Sequence, residues 1–374
     1  MSRLPLHAIC PYFAMFPESF VQEQVNEHSR PGDLVFDPFC GRGTTVLESL
    51  LNGRQAAGSD INPVAVCVSR AKANRPSLDA VTTRLIALEQ AYDVASVCKT
   101  TAAPIEDERE GLSPFFRRAF HHATLRELLF LRARLKWKTN EVDGFIAALT
   151  IGSLHGEMDK SSAYFSNQMP RTICLKPGYS LRYWRSHGLF PKRRRVFEML
   201  TAKAILRLDD VPVDCPRGLV QNADARHSAA TFPSLKGKVG LVVTSPPYLK
   251  VTRYEEDQWL RLWFLGGPPR PTYGEVSRDD RHAGNERYWR FLQESWQGVK
   301  PLLSKHARMV IRLGAMGMTS ADMSAQLHET IQATWPRSHP LCAPRRSRIV
   351  GRQAANFLPS SKGCLFEMDY VYVV

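Results

Sequence analysis

The stretch Leu34-Val35-Phe36-Asp37-Pro38-Phe39-Cys40-Gly41-Arg42-Gly43-Thr44-Thr45 narrows the fold of this chain more than any other. Leu34-Val35-Phe36 is a short apolar run, as a parallel strand buried on both faces requires. Helical spacing resumes directly after the glycines, with Val46, Leu47, Leu50 and Leu51 on one face. Gly41 and Gly43 therefore sit in a tight turn between strand and helix, where the backbone must adopt positive φ or leave room for a ligand. The pattern repeats at once: residues 54–59 lead into a second strand ending at Asp60, and 64–73 form another helix. Upstream, 18–27 has helical spacing (Phe20, Val21, Val25) and Pro31-Gly32 stops it. This β-α-β-α opening predicts a doubly wound α/β sheet.

The alternation then stops. Between 74 and 216 no strand-turn-helix unit recurs; 125–137 and 144–154 look helical, 105–111 is an acidic loop, and 161–191 is irregular and aromatic. Strand character returns at 219–221 and at 239–243, followed by a helix at 288–299, a strand at 309–311 and a helix at 321–334. Residues 365–374 alternate well enough for a closing strand, in a hairpin with the stretch before Leu358. The reading is a Rossmann-like domain in two parts, a cofactor half at 1–73 and a catalytic half at 217–374. A mostly helical, basic insertion at 74–216 separates them.

Two sets of residues carry the chemistry. Asp60 ends the second strand 23 residues after Asp37, where a carboxylate can accept both ribose hydroxyls of an adenosine; it also suits a helix N-cap before Ile61-Asn62-Pro63. The turn lacks the G-x-G-x-x-G spacing, and Asp37 stands where a pyrophosphate would disfavour a carboxylate, which argues against a dinucleotide. A ligand with a sulfonium and an ammonium group, S-adenosylmethionine (AdoMet), fits it better. The second set is Thr244-Ser245-Pro246-Pro247-Tyr248, which should lie at the carboxyl edge of the sheet. Two prolines stiffen the backbone and remove two N–H groups. The Ser245 hydroxyl and the Pro246 carbonyl can then accept the hydrogens of an exocyclic base amine, and Tyr248 can stack on the ring.

Asp-Pro-Phe-x-Gly-x-Gly-Thr-Thr followed by Asp-Ile-Asn-Pro resembles the AdoMet-binding half of the amino-group DNA methyltransferases, which modify N4 of cytosine or N6 of adenine. The resemblance covers 8–73 and 219–315. It implies cofactor contacts from Asp37, Pro38, Phe39, Gly41, Gly43, Thr44, Asp60, Ile61 and Asn62. Tyr12 and Phe16, within Tyr12-Phe13-Ala14-Met15-Phe16-Pro17-Glu18, correspond to the segment at the methionine end, and Asp224 to the carboxylate on the adenine amine. Ser245 to Tyr248 correspond to the catalytic corner. There a serine in the first position leans towards cytosine N4, with adenine N6 as the alternative. Ring-carbon methylation is disfavoured, because it needs a cysteine nucleophile near the corner. The resemblance further implies duplex DNA with the target base flipped, a cognate restriction endonuclease as partner, and a cytoplasmic setting. Downstream, Tyr254, Asp257 and Trp259 also resemble the family, though Trp259, Leu262 and Trp263 at helical spacing read as core.

Charge agrees with a polyanionic partner: 50 Lys+Arg against 36 Asp+Glu leave +14. Residues 151–207 hold eleven Lys/Arg and three Asp/Glu, including Lys192-Arg193-Arg194-Arg195, interleaved with Tyr164, Phe165, Tyr179, Tyr183 and Trp184. Such a mixture suits phosphate contacts and base stacking, and a four-residue basic run also suits a solvated helix face. Arg345 and Arg346, in a second basic group, offer a phosphate clamp or decorate a hairpin. The eight cysteines are scattered without metal-site spacing, which excludes a compact zinc site, and the apolar run 144–154 is too short to span a bilayer. Two further readings stay open: a methyltransferase of RNA base amines, and a non-catalytic module of the same fold that binds nucleic acid.

Overall fold

The computed structural model describes residues 4–12, 17–97, 112–158, 163–170, 175–209, 216–249, 254–272, 284–314, 317–348, 364 and 366–374. The chain divides into two compact units. The larger holds 12–74, 214–254 and 274–374; the other holds 1–11, 75–213 and 255–273.

The larger unit is an α/β sheet. Its strands are β1 (Leu34–Asp37), β2 (Gln55–Asp60), β3 (Leu219–Asn222), β4 (Val239–Thr244), β5 (Leu303–Leu313), β6 (His339–Pro340), β7 (Arg345–Arg348) and β8 (Phe366–Val373). They lie in the order β3-β2-β1-β4-β5-β8-β6, with β7 also paired to β8. Every pair from β3 to β5 is parallel, whereas β8 runs antiparallel to β5, β6 and β7. This is a Rossmann-like open sheet, with the order reversing between β1 and β4. The crevice outside the carboxyl ends of those two strands is where such sheets bind ligands.

Strand periodicity explains the two cores. Val35, Leu241, Val243 and Val310 face one side with Phe20, Val21 and Val25 of α1 (Glu18–His28). Phe36, Val242, Met309 and Ile311 face the other, against Tyr288, Phe291, Leu292 and Trp296 of the helix Asn285–Val299 and Met323, Leu327 and Ile331 of Ser320–Thr334. Alternate residues of a strand point to opposite faces, so a sheet covered on both sides needs apolar residues throughout. Val46 and Leu50 of α2 (Thr44–Leu51) and Val66 and Ala73 of α3 (Pro63–Ala73) close a smaller cluster over Ala56 and Val220.

The second unit is helical. Leu78–Val97, Pro114–Ala119, His122–Arg134, Glu141–Ser153, Pro177–Ser186, Val196–Leu208 and Trp259–Phe264 form it. Its centre is aromatic: Trp263 lies 4.6 Å from Phe116 and Trp259 5.1 Å from Phe115, centroid to centroid. These contacts, with Arg132 Nε donating to the Trp263 carbonyl at 2.9 Å, explain why 255–273 packs here although sequence boundaries assign it to the catalytic half. Trp259 and Trp263 are core, as their spacing indicates. Part of the segment read as irregular, 161–191, is the helix Pro177–Ser186, which starts with a proline in its first turn. The acidic loop at 105–111 lies outside the described residues. The closing strand β8 pairs with Arg345–Arg348, and the stretch just before Leu358 lies outside the description.

Candidate active site

β1 and β4 are neighbours, so their carboxyl ends bring the glycine turn and the proline corner side by side. A hydrogen bond joins the two motifs: Thr244 Oγ1 donates to Asp37 Oδ1 at 2.6 Å. Asp37 is buried, and burial pushes its carboxyl up to about 6 against the hydroxyls of Thr244 and Thr45 and the Phe39 N–H, which favour the charged form. These donors are neutral, so the buried carboxylate suits a cationic ligand.

The turn is built by backbone contacts. Gly41 (φ 49°) donates its N–H to Asp60 Oδ2 at 2.9 Å, and Asp60 Oδ1 accepts from Asn62 N at the same distance. Carboxylate oxygens accept more than one hydrogen bond each, so these contacts aim Asp60 without exhausting it. The N-cap of α3 is Asn62, which accepts from Val64 N at 3.0 Å and donates to Tyr12 Oη at 3.0 Å. At Gly43 (φ 74°) a Cβ would meet Ser69 Cα at 2.9 Å. From below, the fully buried Lys72 donates to the Arg42 carbonyl at 2.7 Å, and Arg42 donates to Glu18 at 2.6 Å. Neither Lys72 nor Glu18 was singled out by sequence; a lysine within an otherwise apolar helical stripe was the signal. Phe39 packs edge-on to Trp296, Ile61 is partly buried and Thr44 buried at the start of α2. Phe16 lies outside the described residues. Asp224 follows β3, but its carboxylate caps the next turn and pairs with Arg226 at 2.7 Å. Burial opposes its charge, and the Arg226 contacts outweigh that and hold it below its ordinary value.

The corner is held from two sides. Tyr288 Oη donates to the Pro247 carbonyl at 2.9 Å, and Tyr248 Oη donates to Glu367 Oε1 at 2.7 Å. Ser245 Oγ donates to Tyr248 Oη at 3.3 Å. The Tyr248 ring is only 9 % exposed, and a Cβ on Gly314 would meet it at 2.8 Å, so glycine is required there. Burial, then the Glu367 charge, push its phenol well above the ordinary value. Tyr288 and Glu367 carry no local motif, and only the folded chain, with Tyr288 on the helix Asn285–Val299 and Glu367 on β8, reveals them. Among the described residues no cluster of His, Cys, Asp and Glu could hold a metal, and no helix is long and apolar enough to cross a membrane.

The basic residues fall in both units. Lys192 to Arg195 form an irregular segment ahead of Val196–Leu208, not a helix face. Lys192 is exposed, Arg193 pairs with Glu127, Arg194 is anchored through its backbone N–H to Thr124 at 2.8 Å, and Arg195 pairs with Glu198 at 2.5 Å. Of the interleaved aromatics, Phe165 and Trp184 are core residues, because their side chains fill the helical unit. Tyr179 remains exposed. Phe190 is 69 % exposed with Arg118 stacked 4.0 Å from its ring, an aromatic within the basic run that sequence reasoning passed over. Arg345 and Arg346 lie on β7, where Arg345 approaches Glu23 at 3.8 Å and Arg346 stacks on Phe366 at 4.4 Å.

Comparison with known proteins bears on the glycine turn. Residues 6–70 match the family model N6_N4_Mtase, described as DNA methylase. Over this segment the chain is similar to the DNA methylase family. The chain is similar to the orphan methyltransferase M.BamHII of Bacillus amyloliquefaciens, 43 % identical over 49 residues, 13 % of this chain and 18 % of that protein. It is also similar to the type II methyltransferase M.MjaII of Methanocaldococcus jannaschii, 33 % identical over 67 residues, 18 % of this chain and 13 % of that protein. The chain thus spans under a fifth of either methylase it matches. Among solved structures, an rRNA methyltransferase, aviRa, from Streptomyces viridochromogenes aligns over 100 % of this chain and 90 % of its own, with 13 % identity and a TM-score of 0.35.

Proposed function

We propose that this chain is an AdoMet-dependent DNA methyltransferase acting on an exocyclic base amine, with cytosine N4 as the acceptor. The observation that carries the reading is the 2.6 Å bond from Thr244 to Asp37, which ties the corner to the buried carboxylate of the glycine turn. AdoMet supplies an electrophilic methyl group on a sulfonium. Asp37 faces that cationic end, Asp60 takes the ribose hydroxyls, and the backbone around Gly41 and Gly43 admits the ligand closely.

On the substrate side, the Ser245 hydroxyl and the Pro246 carbonyl accept the hydrogens of the amine. This localises the lone pair that the ring otherwise delocalises, and positioning supplies much of the rate. Tyr248 forms a wall for the flipped base, which offsets its lost stacking. A serine at this position, in place of an acidic or amide side chain, supports cytosine over adenine by the resemblance above. Lys192, Arg195 and the exposed ring of Phe190 would engage DNA phosphates and bases, with Arg345 and Arg346 as a second contact.

Transfer of a radiolabelled methyl group to duplex DNA, single-stranded DNA and tRNA tests this directly, followed by mass identification of the modified nucleoside. N4-methylcytosine in DNA is expected. Label on tRNA alone overturns the reading, N6-methyladenine corrects the base, and AdoMet binding without transfer leaves a nucleic-acid-binding module.

A further inference from the structure

Methylation of an amine leaves a surplus proton on nitrogen, and a serine hydroxyl is too weak a base to keep it. We propose that Ser245, Tyr248 and Glu367 form a relay that carries this proton to the Glu367 carboxylate, an inference that rests on the amine-methylation reading above. Geometry fixes the direction of the chain. An ionised carboxylate has no proton to give, so at 2.7 Å from Glu367 Oε1 the Tyr248 phenol must be the donor. A phenol has one proton. Only its lone pairs then remain for Ser245 Oγ, 3.3 Å away, which must donate in turn. With its own proton so committed, Ser245 presents lone pairs to the substrate, the polarity that an amine requires.

The far end is anchored. The Arg312 guanidinium stands 3.7 Å from Glu367 Oε2, grips Asp369 at 2.6 and 2.8 Å, and lies 3.6 Å over the Phe20 ring. Glu367 keeps 20 % side-chain exposure, so a proton arriving there can leave to solvent. As the N–C bond forms and the S–C bond breaks, one N–H proton passes to Ser245. The Ser245 proton passes to Tyr248, and the Tyr248 proton to Glu367. A neutral amine, a sulfonium and a carboxylate become a methylated amine, a thioether and a carboxylic acid, with net charge unchanged.

Glu367→Gln in the full chain separates relay from support, because the amide still accepts from Tyr248 but cannot take up its proton. Single-turnover methyl transfer should fall at least tenfold while AdoMet affinity and melting temperature stay near those of the parent; transfer at the parent rate overturns the relay. Tyr248→Phe, which keeps the ring and cuts the chain in the middle, should lose as much, and full activity would equally overturn it. A second readout needs neither cofactor nor DNA. The ¹³Cζ resonance of labelled Tyr248, assigned by its loss in Tyr248→Phe, should move on Glu367→Gln, and an unmoved resonance removes the Tyr248–Glu367 bond. Absence of methyl transfer by the parent enzyme would instead refute the proposed function, and the resonance would still judge the hydrogen-bond chain.

Discussion

At the scale of single residues, Asp37 shows why a costly group is kept. With its carboxyl raised from 3.8 to about 6, the folded protein holds a proton that the unfolded chain has already released between those values. Stability therefore falls as pH rises from about 4 to about 6 and stays lower above, a cost of roughly 3 kcal/mol at neutral pH. Asp37→Asn should abolish that slope and raise the cofactor-free melting temperature at pH 7, as thermal melts across pH would show. A cationic ligand reverses the preference. AdoMet affinity should drop about tenfold per unit below pH 6 in the parent protein, and calorimetry should find it weak and flat with pH in Asp37→Asn. Asp37 was legible in the sequence because it ends the apolar run Leu34-Val35-Phe36, and Asp60 because it closes the next strand 23 residues later. Glu367 was not, since its partner lies 119 positions away and nothing local marks it.

At the scale of elements, the opening β-α-β-α was readable almost to the residue because the apolar run of β1, the glycine turn and the apolar stripes of α2 and α3 bracket β2 closely on both sides. The helix Pro177–Ser186 was missed because its buried stripe is only Ser180 and Trp184, one turn apart, too short a run of apolar residues to stand out in a basic and aromatic stretch. The assignment of 255–273 to the helical unit also escaped, because an apolar helix looks the same whichever core it fills. The glycine turn yields the sharpest prediction here. Gly43→Ala must hold a side chain at φ 74°, which costs about 1–2 kcal/mol, and place its Cβ 2.9 Å from the Ser69 backbone. Because α2 starts there, the expected result is a melting temperature lowered by several degrees together with lost AdoMet binding. A variant that binds normally would show that the turn tolerates displacement.

At the scale of the whole molecule, the proposed function together with an excess of 14 positive charges predicts a nucleic-acid affinity that depends strongly on salt. Lys192→Ala should weaken binding alike on all DNA sequences and reduce the slope of log K against log salt by about one, which fluorescence anisotropy across salt would measure. Arg193→Ala should act mainly on stability, since that side chain is spent on Glu127. The bond between Thr244 and Asp37 has a consequence at this scale too. Whatever holds Asp37 in its ionised form also strengthens its grip on Thr244, and so braces the ledge on which the nucleobase would land. The two ligands then become energetically coupled, and thermodynamics makes such coupling mutual. AdoMet or its demethylated product should tighten DNA by the same factor that DNA tightens AdoMet, and Thr244→Val should bring both factors towards one.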